Sequence, residues 1–238
     1  MMTSLPRPAD PARSACAIRG CGAALLVLMG VATDAVSLRA AIILDSVTIR
    51  VYDSAGVAAA DRSTALKAAA RILSRADLDV DWVVCTSARE GHAQSACDAP
   101  PAPYELVVRL TYSSPTAQDG NRRAFGYSLI DATTGAGTLS TVYVDRVDWL
   151  ASTGKVARAD VLGRAIAHEL GHLMLGSNAH TDRGLMRETW TADELTRNRP
   201  EDWQFSAPQR ASLRARWAGS PASRRAASRD GRSMLGSE

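Results

Sequence analysis

The sequence Ala-Ile-Ala-His-Glu-Leu-Gly-His-Leu-Met-Leu-Gly occupies residues 165–176, and its apolar residues surround one His-Glu-x-x-His motif. Apolar side chains continue upstream at helical spacing, so residues 156–175 are predicted to form one largely buried helix that ends at Gly176. Residues four apart share a helix face, so His168 and His172 can reach one metal ion. Imidazole is a common zinc ligand, and the stretch therefore predicts a zinc site on a buried helix.

Glu169 follows His168 directly, so its carboxylate is expected beside the metal and not on it. From there it can act as a general base and take a proton from a water that the metal activates. Polar side chains in a buried helix need partners, because an unpaired buried group costs about 1–3 kcal/mol. The alternative is a pair of core histidines that backbone carbonyls satisfy, but the helical context of the motif favours zinc.

A hydrolytic zinc site takes three protein ligands and leaves a fourth position for water. His180, four residues after Gly176, is the best candidate for the third ligand. Four downstream carboxylates are its rivals: Asp182, Glu188, Asp193 and Glu194. The remaining histidine, His92, lies in a polar loop and is interpreted as a surface residue.

The residues from His168 to His180 resemble the extended zinc motif of metzincin metalloproteases, above all that of matrixins. Gly176 and His180 stand one and two residues farther from His168 than in that motif, so a divergent, metzincin-like protein is expected. Met186 stands where those enzymes have a methionine turn beneath the zinc, and the resemblance assigns it that place. The alternative for Met186 is a core-filling side chain.

The metzincin resemblance implies a zinc-dependent endopeptidase with Zn²⁺ as cofactor and a peptide or protein as substrate. In that family the substrate pairs with an edge strand, which here falls among residues 125–130 and 139–145. The alternative is an exported or membrane-anchored binding protein with a structural or vestigial zinc site. A structural site uses four protein ligands, and the presence of Glu169, which is no ligand, argues against it.

The rest of the chain alternates strands and helices. Alternating and β-branched segments predict five strands, at residues 41–52, 79–85, 104–112, 125–130 and 139–145, the last two joined as a hairpin. Residues 58–75 are predicted to form a helix capped by Asp61 or Ser63, and residues 206–217 a helix capped by Ser206. Residues 180–205 are predicted to be irregular. This order predicts an α+β fold with one mixed, twisted sheet, an active-site helix and a C-terminal helix.

The N-terminus has the pattern of a secretory signal. Arginines precede a short apolar run at residues 23–32 and small residues follow, which predicts a signal peptide over residues 1–35. The run is shorter than the about 20 residues of a spanning helix, so no stable membrane insertion is expected after cleavage. The alternatives are a buried helix or an uncleaved anchor.

Cysteine usage agrees with export. Beyond the leader the chain has only Cys85 and Cys97, for which we predict a disulfide in an oxidising compartment. The alternatives are two free thiols, or a cysteine that occupies the zinc in a latent form. We therefore predict an exported protein, either secreted or periplasmic.

Composition and charge leave room for one domain. The chain has 238 residues, 46% of them hydrophobic, and a net charge of +3, which is an ordinary globular balance. The catalytic domain is expected at residues 36–218, followed by a disordered basic tail at residues 219–238. No nucleic-acid-binding motif accompanies the tail, so no nucleic-acid partner is expected. The sequence does not fix the oligomeric state.

Overall fold

A computed structural model describes residues 46–85, 96–113 and 124–217 of the chain. The predicted signal peptide, the predicted basic tail and His92 lie outside these ranges. Within the described ranges, no helix combines the length and the apolar character needed to cross a membrane.

Five strands form one mixed sheet in the spatial order β2-β1-β3-β5-β4. Their bounds are Ser46–Asp53 (β1), Asp79–Cys85 (β2), Leu106–Thr111 (β3), Gly126–Leu129 (β4) and Leu139–Tyr143 (β5). Strand β1 runs parallel to β2 and β3, and β3 runs parallel to β5. Strand β4 pairs antiparallel with β5 and forms one edge of the sheet. The predicted mixed sheet and the predicted hairpin are both confirmed.

Five α-helices and a short 3-10 helix accompany the sheet, and residues 96–98 are also helical. Their bounds are Ala59–Ser74 (α1), Val144–Gly154 (α2), Arg158–Leu175 (α3), Ala192–Arg197 (α4), Pro200–Trp203 (3-10) and Ala207–Trp217 (α5). Helices α1 and α3 pack on each other and on one face of the sheet, where Ile49, Val108, Leu73 and Ile166 are buried. This arrangement confirms the α+β fold, and α3 confirms the predicted long helix.

Two segments differ from the sequence-based expectation. The predicted strand 139–145 ends at Tyr143, because α2 begins at Val144 and buries Val147 and Leu150 at helical spacing. Residues 180–205 are not irregular throughout, since they contain α4 and the 3-10 helix. A capping box between Thr191 and Glu194 starts α4.

The helix caps agree with the sequence in one case and not in the other. Helix α1 begins after Ala58, which makes no side-chain cap bond, so the capping role predicted for Asp61 or Ser63 is wrong. Asp61 instead lies in the first turn, where its charge suits the helix dipole. At α5, the Gln209 backbone N–H donates to Ser206 Oγ at 3.4 Å, and the Ser206 N–H donates to Gln209 Oε1 at 2.8 Å. This reciprocal pair confirms the cap predicted at Ser206.

A disulfide joins Cys85 at the end of β2 to Cys97, as the sequence predicted. The segment that follows is held on the sheet face opposite α1 and α3. The Tyr52 hydroxyl donates to the Cys97 carbonyl at 2.7 Å, and buried Arg50 pairs with Glu105. Side chains of β1 therefore fix the chain that leads into β3.

Candidate metal centre

Helix α3 places the three residues of the motif in the interior of the protein. His168, Glu169 and His172 are 6%, 3% and 4% exposed, although all three line one cleft. The four-residue spacing brings the two imidazoles together on one face of the helix, with their ring centroids 4.7 Å apart. The structure thus brings together the pair that the sequence singled out.

Each of these imidazoles is oriented by a backbone carbonyl. His168 Nδ1 lies 2.9 Å from the Leu185 carbonyl oxygen, and His172 Nδ1 lies 2.8 Å from the Ser177 carbonyl oxygen. A carbonyl oxygen can only accept a hydrogen bond, so both Nδ1 atoms must carry the proton and donate. In a neutral imidazole this leaves Nε2 unprotonated, with its lone pair free.

The two free lone pairs point at one place. His168 Nε2 and His172 Nε2 are 3.0 Å apart, and neither can donate to the other while both rings are neutral. Burial, followed by the proximity of His172, lowers the pKa of His168 to about 3, so a proton does not resolve the conflict. Burial also lowers the pKa of His172. Two buried acceptors in contact without a proton between them fit a cation that both can bind.

Zinc fits this donor set. Zinc–nitrogen bonds of about 2.0–2.1 Å in a tetrahedral arrangement place two nitrogens about 3.3 Å apart, close to the observed separation. The hydrogen bonds to the Leu185 and Ser177 carbonyls have the form usual for zinc-binding histidines, in which the ring nitrogen that does not bind the metal donates to a carbonyl.

His180 completes the group from outside α3. One ligand atom from each of His168, His172 and His180 can be chosen so that all three lie within 4.8 Å of one another. The His180 ring lies 4.9 Å from the His172 ring and 5.4 Å from the His168 ring, centroid to centroid. His180 itself is exposed and lines the open cleft.

The rival carboxylates do not join this group. Within residues 46–85, 96–113 and 124–217, no other set of three metal-ligating side chains gathers in this way. Glu188 lines the same cleft as the histidines, whereas Glu194 caps α4 and pairs with Arg187.

The chain turns sharply at the end of α3 to bring His180 back. Gly176 adopts φ +66°, a left-handed conformation that suits glycine, and its N–H bonds the carbonyls of the last helical turn. Ser177 follows, and its N–H donates to the His172 carbonyl at 3.1 Å. The turn therefore presents the Ser177 carbonyl to His172 Nδ1.

Met186 lies directly beneath the motif. Its side chain is fully buried, and a Cβ atom placed on Gly171 would lie 2.7 Å from Met186 Sδ. The turn that contains Met186 is closed by the Thr181 N–H, which donates to the Met186 carbonyl at 2.9 Å. The neighbouring carbonyl of Leu185 is the one that orients His168. The turn thus supports the helix at the histidine pair.

Glu169 packs against the edge strand β4. Ser128 Oγ lies 2.8 Å from Glu169 Oε2, and a Cβ atom on Gly126 would lie 2.8 Å from Glu169 Oε1. Burial raises the pKa of Glu169 to about 8, and the Ser128 hydrogen bond acts in the opposite direction. Neither Ser128 nor Gly126 belongs to a motif that predicts a site residue. The available signal was a pair of small residues at alternate positions of a strand, where bulky apolar residues are usual.

The cleft has a volume of about 250 Å³ and runs along β4. Residues 124–128 form one side, and the three histidines, Glu169, Asn178 and Glu188 form the other. Trp190 lies beside it, edge-on to the His168 ring at 5.6 Å and stacked on Phe125 at 4.9 Å, centroid to centroid. The site therefore combines three imidazoles, a buried carboxylate and an edge strand around one opening.

Comparison with known proteins gives likenesses of fold only. No protein-family model matches the chain, and no curated protein matches it. Archaemetzincin from Methanopyrus kandleri is 14% identical, with 72% of this chain and 96% of that chain covered and a TM-score of 0.44. A zinc-dependent peptidase from Methanocorpusculum labreanum is 14% identical, with 69% and 99% covered and a TM-score of 0.45. Metalloproteinase-II from Bacteroides fragilis is 13% identical, with 72% and 53% covered and a TM-score of 0.44.

Proposed function

We propose that this protein is a zinc-dependent endopeptidase in which His168, His172 and His180 bind the metal and Glu169 is the general base. The observation that carries the proposal is the buried pair of Nε2 atoms 3.0 Å apart, each left unprotonated by a carbonyl at Nδ1. His180 supplies a third imidazole, and Glu169 stays outside the group. Three nitrogen ligands and a nearby carboxylate are the composition of a hydrolytic zinc site.

The chain's own residues then have defined tasks. Zinc, when bound, supplies the Lewis acid that activates water and the scissile carbonyl. Glu169 accepts a proton from the attacking water and returns it to the leaving amine. The charge of a bound zinc ion would favour the ionised form of Glu169, which is the form that can accept the proton. Met186 packs against Gly171 and so supports the part of α3 that carries His168 and His172.

The substrate is a peptide in an extended conformation. Strand β4 is an edge strand, and residues 124–128 line the cleft, so its backbone is placed to pair with a peptide that crosses the site. Pairing through the main chain tolerates many side chains and does not require a chain end. This supports endopeptidase activity over removal of single terminal residues.

Export belongs to the same proposal. Residues 1–35 have the order of a secretory signal, and the disulfide between Cys85 and Cys97 suits an oxidising compartment. We propose that the mature enzyme starts near residue 36 and acts outside the cytoplasm, secreted or in a periplasm.

The decisive experiment compares wild type with Glu169→Gln after zinc loading. Metal analysis is expected to find one zinc per chain in both proteins, because Glu169 is not a ligand. Cleavage of an unfolded protein substrate should fall by about 10²–10⁴-fold in the variant, the range for loss of a general base. Glu201→Gln, at an exposed carboxylate outside the cleft, should match wild type.

Two results would contradict the proposal. Equal cleavage by Glu169→Gln and wild type would remove the general-base role. A wild type that holds zinc but cleaves no peptide would favour the structural or vestigial zinc site of a binding protein instead.

A further inference from the structure

Ser128 makes a side-chain contact with Glu169 that the metal site itself does not require. Its Oγ lies 2.8 Å from Glu169 Oε2 and 2.8 Å from the Glu169 main-chain oxygen. Both side chains are shielded from solvent, with 8% of Ser128 and 3% of Glu169 exposed. A buried polar contact of this kind is strong, because water does not compete for either partner.

The chemistry of a hydroxyl group matches the two forms of Glu169. A serine hydroxyl has one hydrogen to donate and can accept at the same time. With Glu169 ionised, Ser128 can donate to Oε2. With Glu169 protonated, Ser128 can accept from the carboxylic acid and donate to the main-chain oxygen, which is equally close. Only the hydroxyl hydrogen has to rotate, so the heavy atoms keep their places in both forms.

The shape of β4 fits the same carboxylate. Gly126 and Ser128 are two residues apart, so they lie on the same face of the strand, toward α3. A Cβ atom on Gly126 would meet the Thr141 carbonyl oxygen first, and it would also lie 2.8 Å from Glu169 Oε1 and 2.9 Å from Cδ. The glycine therefore leaves room for both the neighbouring strand and one carboxylate oxygen, while the serine bonds the other oxygen.

We propose that Ser128 is a positioning residue for Glu169, holding its carboxyl group against β4 through the hydrogen bond to Oε2. This inference rests on the proposed function, since it gives Ser128 a catalytic consequence only where Glu169 acts as a base. Ser128 acts through Glu169 and not on the substrate. Its loss should therefore lower kcat and leave KM nearly unchanged.

The test uses zinc-loaded enzyme and a matched pair of variants. Ser128→Ala removes the hydroxyl, and Ser140→Ala removes a second buried hydroxyl directly across the hairpin. Ser140 pairs with Ser128 in the register of β4 and β5, but its Oγ contacts the Val107 carbonyl at 3.4 Å. Ser128→Ala is expected to lower kcat by about tenfold to hundredfold, the effect of one lost charge-assisted hydrogen bond. Ser140→Ala should keep the wild-type kcat.

Introducing Ser128→Ala into the Glu169→Gln variant distinguishes a role of Ser128 in positioning Glu169 from a general role in the fold. If Ser128 acts through Glu169, adding Ser128→Ala to Glu169→Gln should not lower the residual rate further. A second cycle, built with Glu169→Ala, is measured by urea unfolding of the zinc-loaded proteins, which does not depend on activity. The stability losses of Ser128→Ala and Glu169→Ala should be non-additive if the two side chains interact.

The outcomes are distinct. An active wild type in which Ser128→Ala matches Ser140→Ala would overturn the role of Ser128 and leave the proposed function intact. Additive stability losses in the unfolding cycle would overturn the contact itself. A zinc-loaded wild type that cleaves no peptide would instead remove the proposed function, and with it the catalytic role inferred for Ser128.

Discussion

His168 Nε2 and His172 Nε2 face each other at 3.0 Å inside the protein, and each ring is fixed by a carbonyl at its other nitrogen. The two carbonyls come from different segments of the chain. One belongs to Leu185 in the turn that contains Met186, and the other to Ser177 at the exit of α3. The loop between these residues contains His180, so the segment that orients the pair also delivers the third imidazole.

This arrangement predicts how zinc binding responds to histidine substitutions. His172→Ala and His180→Ala should each weaken zinc binding by more than about 10–100-fold, which is the cost of losing a group that only hydrogen-bonds a zinc-binding histidine. The larger loss is expected at His172, because it is buried and its position is set by α3. Competition with a chromophoric chelator, followed by metal analysis, measures both affinities.

His92→Ala is the control for these variants, because the sequence predicts that His92 is a surface residue in a polar loop. It should bind zinc like wild type. If His180→Ala keeps full affinity, the third ligand is not His180, and Glu188, which lines the same cleft, becomes the residue to replace next.

The disulfide predicts a stability effect separate from the metal. Cys85 and Cys97 are 12 residues apart, and closing a loop of this size stabilises the folded state by about 3 kcal/mol. The double variant Cys85→Ala/Cys97→Ala should therefore lose about 2–3 kcal/mol in unfolding free energy. Its zinc content should not change, because neither cysteine belongs to the histidine group. Urea unfolding and metal analysis of the same samples test both statements.

The sequence predicted those features that local patterns encode. The helical spacing around the motif identified α3, and strand patterns identified all five strands of the sheet. The pairing of Cys85 with Cys97 followed from the cysteine count. The prediction that His180 joins His168 and His172 rested on the motif and on Gly176. Glycine tolerates a positive φ, so its presence after the helix indicated a turn, and Gly176 has a φ of +66°.

Contacts between distant segments were not predictable in this way. Ser128 and Glu169 are 41 residues apart, and their contact depends on how β4 packs over α3. The hydrogen bonds to the Leu185 and Ser177 carbonyls cannot be predicted from residue type, because every residue has a backbone carbonyl. Helix α4 was not predicted, although Thr191 followed by Glu194 is the sequence pattern of a capping box. The helix is only six residues long, too short to show a clear helical spacing of apolar residues.

The buried state of Glu169 predicts a pH effect in the zinc-free protein. Burial raises its pKa from 4.5 to about 8 in the folded state. Between these values the folded protein keeps a proton that the unfolded chain has released, so stability falls as pH rises. Glu169→Gln has no such proton. The unfolding free energy of the variant relative to wild type should therefore increase from pH 5 to pH 8, by about 1 kcal/mol or more.

Urea unfolding in the presence of a chelator, repeated at several pH values, gives this difference directly. His168 and His172 occur in both proteins, so their own titration largely cancels from the comparison. A difference that stays constant across the range would show that Glu169 is not held as a buried, protonated group in the zinc-free fold.

Gly176 offers a test of the turn that joins α3 to His180. Gly176 and Gly56 have nearly the same left-handed φ, +66° and +69°, so alanine at either position meets similar backbone strain. They differ in surroundings. A Cβ atom on Gly176 would lie 2.6 Å from both Arg216 Nη2 and the Gly135 carbonyl oxygen, whereas one on Gly56 meets nothing within 4 Å. Gly56→Ala should therefore cost about 1 kcal/mol, and Gly176→Ala clearly more.

Zinc affinity distinguishes the two variants further. Displacing Gly176 also moves Ser177, whose carbonyl orients His172, so Gly176→Ala should weaken zinc binding by about 10–100-fold. Gly56→Ala, at the turn after β1, should bind zinc like wild type. Equal zinc affinity in the two variants would contradict this coupling, because it would mean that a change at Gly176 does not reach His172 through the Ser177 carbonyl.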